Sequence, residues 1–208
     1  MASSGSRQHA HLAPHVIPND LGRWDQAKPG DLLLLPLWTD VRPLRGASGL
    51  LDWRMCGRLS GFLLAGKVTG ADGEQLLFPS GGRLPWRLLL AVGGGARADL
   101  SEQRLRALVR RTLGTLRGLG ASRVALALPA PEGDAAAVAA GGTHAAGKAP
   151  AAKPLPKSSG ALSARSALEL ALAEIDASPG VVTDLTVLVP AGAQKEVAEV
   201  LRLRAVRS

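Results

Sequence analysis

Apolar positions along residues 29–208 fall into short continuous runs separated by amphipathic segments. The run "LLLLPLW" at 32–38 follows a Pro-Gly turn and is apolar at successive positions, which predicts a central strand buried on both faces. Shorter apolar runs at 75–79, 86–92, 123–128 and 183–189 predict further strands. Because buried strands need cover on both faces, this pattern predicts helices packed on each side of a sheet.

The apolar residues between several of these strands recur at helical spacing, which predicts that these segments form helices. The first helix is expected to begin at Gly49, capped by Ser48, with Asp52 in its first turn. Its predicted packing face consists of Leu51, Met55, Leu59, Phe62 and Leu63. A longer helix follows residues 96–99, and its predicted packing face consists of Leu105, Leu108, Val109, Leu113 and Leu116. Two further helices are expected after residue 163, which is a capping serine, and after residue 190.

The predicted order β α β β α β α β α indicates one α/β domain over residues 29–208, with a mostly parallel sheet. Residues 1–28 are polar and irregular, which predicts a flexible arm. Its histidines, His9, His11 and His15, are interpreted as solvated residues of that arm and not as metal ligands. Residues from about 130 to 160 are rich in Ala, Gly, Pro and Lys and offer little to bury, which predicts a mobile insertion.

The composition indicates what kind of core the protein has and in which cellular compartment we expect it. Hydrophobic residues make up 46% of the chain but aromatics only 3%, so the core must be aliphatic. A single cysteine excludes an internal disulfide, and no Cys/His spacing fits zinc, which agrees with a reducing compartment. The sequence shows no signal peptide and no apolar run long enough for a bilayer, so a cytoplasmic protein without membrane contact is expected. Cys56 lies among apolar positions and is predicted to be a buried, inert thiol.

The glycine run after the 86–92 strand is a candidate ligand site. Backbone amides of Gly93, Gly94 and Gly95, placed between a strand and a helix, would suit a phosphate. The run is neither a dinucleotide-binding fingerprint nor a phosphate-binding P-loop. A required tight turn is therefore the favoured interpretation of these glycines.

The helix after the glycines carries a basic outer face. The charge of the whole chain is +8 at neutral pH, and this helix contributes Arg104, Arg106, Arg110, Arg111 and Arg117. Such a face would follow a phosphate backbone, which makes contact with DNA a hypothesis. No aromatic residues alternate with the arginines, so base stacking is not indicated, and a solvated helix face is the favoured alternative.

Several motifs resemble, in order and spacing, the N-terminal domain of leucine aminopeptidases. The matching pieces are the "LLLLPLW" strand, Gly57-Arg58-Leu59, "VTGADGE" at 68–74, "VGGG" at 92–95 and "VALALP" at 124–129. The resemblance covers roughly residues 30 to 130, and the last helix, strand and helix would complete the same domain. It implies a three-layer, macro-domain-like fold with a mixed, mostly parallel sheet and helices on both faces.

The resemblance also bears on chemistry. Leucine aminopeptidases carry their metals and catalytic residues in a separate C-terminal domain, and its "N-T-D-A-E-G-R" signature does not occur in this sequence. The 17 acidic residues are dispersed, without the carboxylate cluster that a two-metal hydrolase needs. We therefore expect no catalytic residues, no metal site, no cofactor and no aminopeptidase activity.

Three functional hypotheses follow from the sequence. The first is a stand-alone, non-catalytic interaction or regulatory module, whose partner would be a second copy; the alternative is a subunit of a split aminopeptidase, whose partner would be an aminopeptidase-type catalytic subunit. The second is a nucleic-acid-binding module that uses the arginine-rich helix. The third is a small-ligand pocket near Asp31 and the glycine run, because "GDLLLL" at residue 30 resembles the opening of ADP-ribose-binding macro domains, in which an aspartate contacts adenine.

Overall fold

The computed structural model describes residues 12–129 and 162–207, and all its strands belong to one sheet. The strands are β1 (His15–Pro18), β2 (Gly30–Leu37), β3 (Gln75–Pro79), β4 (Trp86–Gly93), β5 (Arg123–Ala127) and β6 (Asp184–Val189). The α-helices are α1 (Leu21–Asp25), α2 (Gly46–Arg54), α3 (Arg58–Leu64), α4 (Glu102–Leu119), α5 (Ala164–Asp176) and α6 (Gln194–Arg207). The predicted insertion at 130–160 lies outside the described residues.

The sheet has the strand order β1-β6-β5-β2-β4-β3. All neighbouring strands are parallel except β3, which runs antiparallel to β4. Strand β2 is central, as its continuous apolar run predicts, because a strand covered by helices on both faces needs apolar side chains at successive positions. The predicted mixed, mostly parallel sheet is confirmed.

Two helical layers cover the sheet. Alternate residues of β2 divide between two apolar clusters: Leu32 packs on the side of α4, α5 and α6, and Leu33 packs on the side of α1, α2 and α3. This alternation follows from the two-residue period of a strand. The predicted three-layer α/β fold with helices on both faces is confirmed.

The expectation of a flexible arm through residue 28 is wrong for its second half. Residues 15–18 pair with β6 as an edge strand, and Asp20 caps α1 by accepting a hydrogen bond from the Arg23 amide at 3.0 Å. Trp24 on α1 is fully buried and packs edge-on against Trp86, with ring centroids 6.0 Å apart. Elements of four and five residues are too short to show a period, so only their packing partners reveal them. Of the three histidines, His15 is exposed on β1, whereas His9 and His11 lie outside the described residues.

The helix predicted from residue 49 is two helices, α2 and α3, and it begins earlier. The helix is interrupted at Cys56 and Gly57, whose φ angles of +55° and +77° lie in the left-handed region. Ser48 does not cap a helix; its hydroxyl donates to the Pro36 carbonyl at 2.8 Å. Asp52 lies late in α2, and its carboxylate accepts the Ser60 amide at 2.9 Å, which satisfies a free amide in the first turn of α3.

The packing faces predicted for the helices agree well with the structure. Of the face predicted for the first helix, Leu51, Met55 and Leu59 are buried, whereas Phe62 and Leu63 are partly buried. The apolar face predicted for α4 is buried except for Val109, which is partly buried. Ser163 caps α5 as predicted, accepting the Ser166 amide at 3.0 Å.

Candidate functional site

The two parts of the predicted ligand pocket lie at opposite ends of the neighbouring strands β2 and β4. Asp31 is near the amino end of β2, and in the β2–β4 register Leu37 pairs with Gly93. Six residues of strand therefore separate Asp31 from the level of the glycines, roughly 20 Å at the usual rise per residue. Asp31 and the glycine run do not share a pocket in this fold.

The amides of the glycine run are bonded within the protein. Gly93 donates to the Glu74 carbonyl at 2.8 Å, Gly94 to the Leu37 carbonyl at 2.9 Å, and Gly95 to the Gly70 carbonyl at 2.9 Å. A phosphate bound here would have to displace these carbonyls. The geometry favours a structural role for the run.

Close approach of neighbouring atoms explains why glycine occupies this turn. A Cβ at Gly93 would lie 2.0 Å from the Ala71 carbonyl oxygen, and a Cβ at Gly94 would lie 2.3 Å from the Trp38 ring. Both distances are shorter than any normal nonbonded contact. The sequence favoured a tight turn here, and the structure shows the reason for glycine: the loop at 69–74 and the Trp38 ring leave no room for side chains.

Glu74 organises that loop, and sequence patterns did not single it out. One carboxylate oxygen, Oε2, accepts the backbone amides of Thr69 at 2.7 Å, Gly70 at 2.8 Å and Ala71 at 3.1 Å. The Thr69 hydroxyl also donates to the carboxylate, at 3.0 Å. These hydrogen bonds, led by the one from the Thr69 amide, lower the pKa of Glu74 below its ordinary value. The only signal in the sequence was the "VTGADGE" motif, which contributes to the family resemblance but does not show which atoms Glu74 contacts.

Three amides converging on one oxygen form an anion-binding nest of the kind that holds phosphates in other proteins. Here the protein's own carboxylate occupies it. The Gly95 amide bonds to Gly70 of the same loop, so the nest stabilises the carboxyl edge of β4. The "VTGADGE" element therefore has a structural role, because its backbone carbonyls at Gly70 and Glu74 bind the amides of the glycine run at the carboxyl end of β4.

The carboxylate of Asp31 is also engaged. It accepts the amides of Ser122 at 3.1 Å and Arg123 at 3.0 Å, and it pairs with the Arg123 guanidinium at 2.7 Å. The guanidinium hydrogen bond is the largest cause of a pKa for Asp31 lowered to about 2. Asp31 thus links β2 to the start of β5, and a ligand would compete with these bonds.

Four of the five predicted arginines on α4 lie near carboxylates. Arg110 and Arg106 contact the Glu174 carboxylate of α5, at 2.6 Å and 3.3 Å. Glu174 is buried, and the hydrogen bond from Arg110 is the largest cause lowering its pKa. Arg104 lies 3.8 Å from Asp99, Arg111 lies 3.8 Å from Asp72, and Arg117 is exposed at the end of the helix. A nucleic acid on this face would share its arginines with these carboxylates.

Cys56 is exposed, so the prediction of a buried thiol is wrong. The helical period places it beside apolar positions only if the helix is continuous, and the break at 55–57 turns its side chain outward. Its Sγ lies 2.9 Å from Nη1 of Arg83, and that guanidinium also approaches the Arg54 carbonyl at 3.4 Å.

Exposed apolar and cationic side chains occur together around the same break. Trp53 near the end of α2 is 62% exposed, and Leu64 at the end of α3 is 89% exposed. Arg58 and Lys67 lie 5.8 Å from the ring centroid of Phe62, and both are themselves exposed. We refer to Trp53, Arg58, Leu64, Lys67 and Arg83 as the α2–α3 surface.

Residues 12–129 and 162–207 contain neither a metal centre nor a membrane-spanning helix. No group of three or more His, Cys, Asp or Glu side chains in this part of the chain is arranged to hold a metal ion. No helix of the same two ranges is both long and apolar enough to cross a bilayer.

Solved structures share this fold at low sequence identity. A mutant of tomato leucine aminopeptidase superposes with a TM-score of 0.54 and 14% identity, over 96% of this chain and 37% of that chain. A mutant of the Oceanobacillus iheyensis macrodomain gives 0.58 and 13%, over 96% of this chain and 97% of that one. The Trypanosoma brucei macrodomain in complex with ADP gives 0.56 and 15%, over 92% and 68%. These likenesses show a macrodomain-like fold.

Curated relatives match over a shorter stretch. A probable cytosol aminopeptidase of Pseudomonas syringae pv. tomato is 33% identical over 89 residues, and that of Azotobacter vinelandii is 34% identical over 87 residues. These matches span 43% and 42% of this chain but only 18% of each relative. The model of the cytosol aminopeptidase family, N-terminal domain, matches residues 35–149, more than half of the chain. The chain therefore belongs to the cytosol aminopeptidase family and contains that family's N-terminal domain.

Proposed function

We propose that this chain acts as a non-catalytic interaction or regulatory module, and that its partner is an aminopeptidase-type polypeptide. The observation that carries the proposal is the α2–α3 surface, which leaves Trp53 and Leu64 largely in water. Tryptophan and arginine are enriched at the energetically important centres of protein interfaces, where the indole becomes buried. Family membership, over a stretch equal to 18% of the relatives' length, supports an aminopeptidase chain as the partner.

The charges of the surface define the chemistry of that partner. Arg58, Lys67 and Arg83 of this surface are exposed cations, whereas the Asp52 carboxylate of α2 is engaged by the Ser60 amide. A second copy docked through the same surface would bring like charges together, which opposes association. A partner that presents both apolar side chains and carboxylates would complement this surface, so binding should weaken as salt increases.

The test measures binding and regulation together. Purified chain is titrated into the full-length Pseudomonas syringae aminopeptidase, with sedimentation velocity for binding and hydrolysis of a leucyl amide for regulation. We expect a complex that Trp53→Ser weakens by about 30-fold, because an interface tryptophan contributes roughly 2 kcal/mol. Leu119→Ser is the control, since Leu119 is 38% exposed on α4, in the opposite layer.

Two results would overturn the proposal. Absence of any complex, or equal binding by the Trp53→Ser and Leu119→Ser variants, would show that the α2–α3 surface is not the binding site. If this chain alone hydrolysed the leucyl amide with manganese or zinc, and a chelator abolished that activity, the chain would not be non-catalytic.

A further inference from the structure

A cavity of about 70 Å³ lies between the sheet and the helices α4 and α5. Its walls are apolar side chains from both layers, including Leu34, Leu126, Leu108, Leu116, Ala171 and Ile175. Thr112 also lines the cavity, and its hydroxyl donates to the Leu108 carbonyl at 2.8 Å. Ordered water in protein interiors needs several polar partners, and this lining offers very few.

The two central strands provide a second observation of the same gap. Leu34 of β2 pairs in register with Leu126 of β5, and both face the layer of α4 and α5. Both remain only partly buried, although their strands are the most interior of the sheet. Interiors are normally packed to crystal-like density, so partly accessible leucines at this position indicate that α4 and α5 leave a local gap above these two side chains.

We propose that this cavity is a binding site for a small uncharged hydrocarbon group, an aromatic ring or a short aliphatic chain. A single water needs roughly 10–15 Å³, whereas an engineered apolar cavity of about 150 Å³ stays dry and binds benzene. The cavity here lies between these sizes, so it suits a compact group of a few heavy atoms. A charged ligand is excluded because no side chain of the lining pairs with a charge.

The first test uses benzene as the probe and benzoate as its charged counterpart. Thermal unfolding of the full chain is followed with increasing benzene, and again with sodium benzoate at the same concentrations. At about tenfold the dissociation constant, benzene should raise the midpoint by roughly 3 °C, and benzoate should leave it unchanged. No shift with benzene, or equal shifts with both compounds, would overturn the proposal.

The second test fills the cavity. Ala171 points into it, whereas Ala173 on the same helix is exposed, so Ala171→Leu and Ala173→Leu make a matched pair. The Ala171→Leu variant should fold with an unchanged or higher melting midpoint and lose the benzene response, and the Ala173→Leu variant should keep it. If Ala171→Leu unfolds or melts well below the wild type, the site is already filled, and the proposal fails.

Discussion

Replacing Glu74 by alanine would leave three backbone amides of the 69–71 loop without their shared acceptor. The amide of Thr69 is exposed and can bond to water, whereas those of Gly70 and Ala71 are part-buried. The Ala71 amide also donates to the Thr69 hydroxyl at 3.2 Å, so the Gly70 amide is the part-buried donor that loses its acceptor. An unsatisfied part-buried donor costs about 1–3 kcal/mol, and we therefore expect Glu74→Ala to lower the free energy of unfolding by about 1–3 kcal/mol.

Glutamine at the same position is the matched control. A single oxygen of Glu74, Oε2, accepts all three amides, so the amide oxygen of glutamine can take its place. The glutamine NH₂ group would then face the Thr69 hydroxyl, which can accept as well as donate. Only the charge is lost, and because hydrogen bonds to a charged acceptor are stronger, Glu74→Gln should cost about 1 kcal/mol.

Urea unfolding of the wild type and both variants, between pH 3 and pH 7, measures these differences. The folded pKa of Glu74 is lowered, so its stabilisation is complete above the ordinary carboxyl pKa of about 4.3 and is lost as pH falls through the folded pKa. The difference between wild type and Glu74→Gln should therefore shrink toward zero in acid. A Glu74→Ala protein as stable as the wild type, or a Glu74→Gln protein as unstable as Glu74→Ala, would refute the reasoning.

Three further predictions concern the other candidate residues. Asp31→Asn should lower stability by about 1–2 kcal/mol at pH 7, and the loss should disappear as pH falls from about 4 toward 2; a constant difference in urea melts would contradict it. Gly94→Ala should lower the free energy of unfolding by about 2 kcal/mol, because the added methyl group would overlap the Trp38 ring. Gly114→Ala, on an open part of α4, should raise it by about 0.5–1 kcal/mol. Calorimetry in which both variants change the stability in the same direction would contradict this prediction. Arg110→Ala should melt at a lower temperature than Arg117→Ala, because Arg110 forms an ion pair with Glu174 of α5 and Arg117 is exposed. Identical melting temperatures would count against a stabilising ion pair. Gel shifts with duplex DNA at low salt then show whether either change alters DNA binding.

Long periodic elements were predictable from sequence because their pattern reports burial directly. The 18-residue helix α4 repeats apolar residues at helical spacing, and β2 is apolar at successive positions, so each element carries its own signal. Strand β1 and helix α1 carry none, because four or five residues cannot display a period. They form because β6 offers hydrogen-bond partners and because Trp24 finds a buried position beside Trp86.

The candidate site was less accessible to sequence reasoning. The identity of the glycine run at 93–95 pointed to a turn, but its steric cause involves Trp38 and Ala71, which are distant in sequence. Asp31 was selected for a ligand, whereas its carboxylate bonds to residues 122 and 123 on the neighbouring strand. Which groups a carboxylate meets depends on strand pairing, and strand pairing is a non-local property.

By itself the sequence determined the α/β class, the order of the strands from β2 onward with the helices between them, except for the division into α2 and α3, and most of the faces that they bury. These features depend on spacing within one segment, where backbone geometry converts a period into a buried face. Only the tertiary structure decided that Cys56 is exposed, that Glu74 fills an anion nest, and that Asp31 and Gly93 lie at opposite ends of neighbouring strands. Each of these depends on contacts between distant segments or on a break in the backbone, and neither leaves a repeating pattern along the chain.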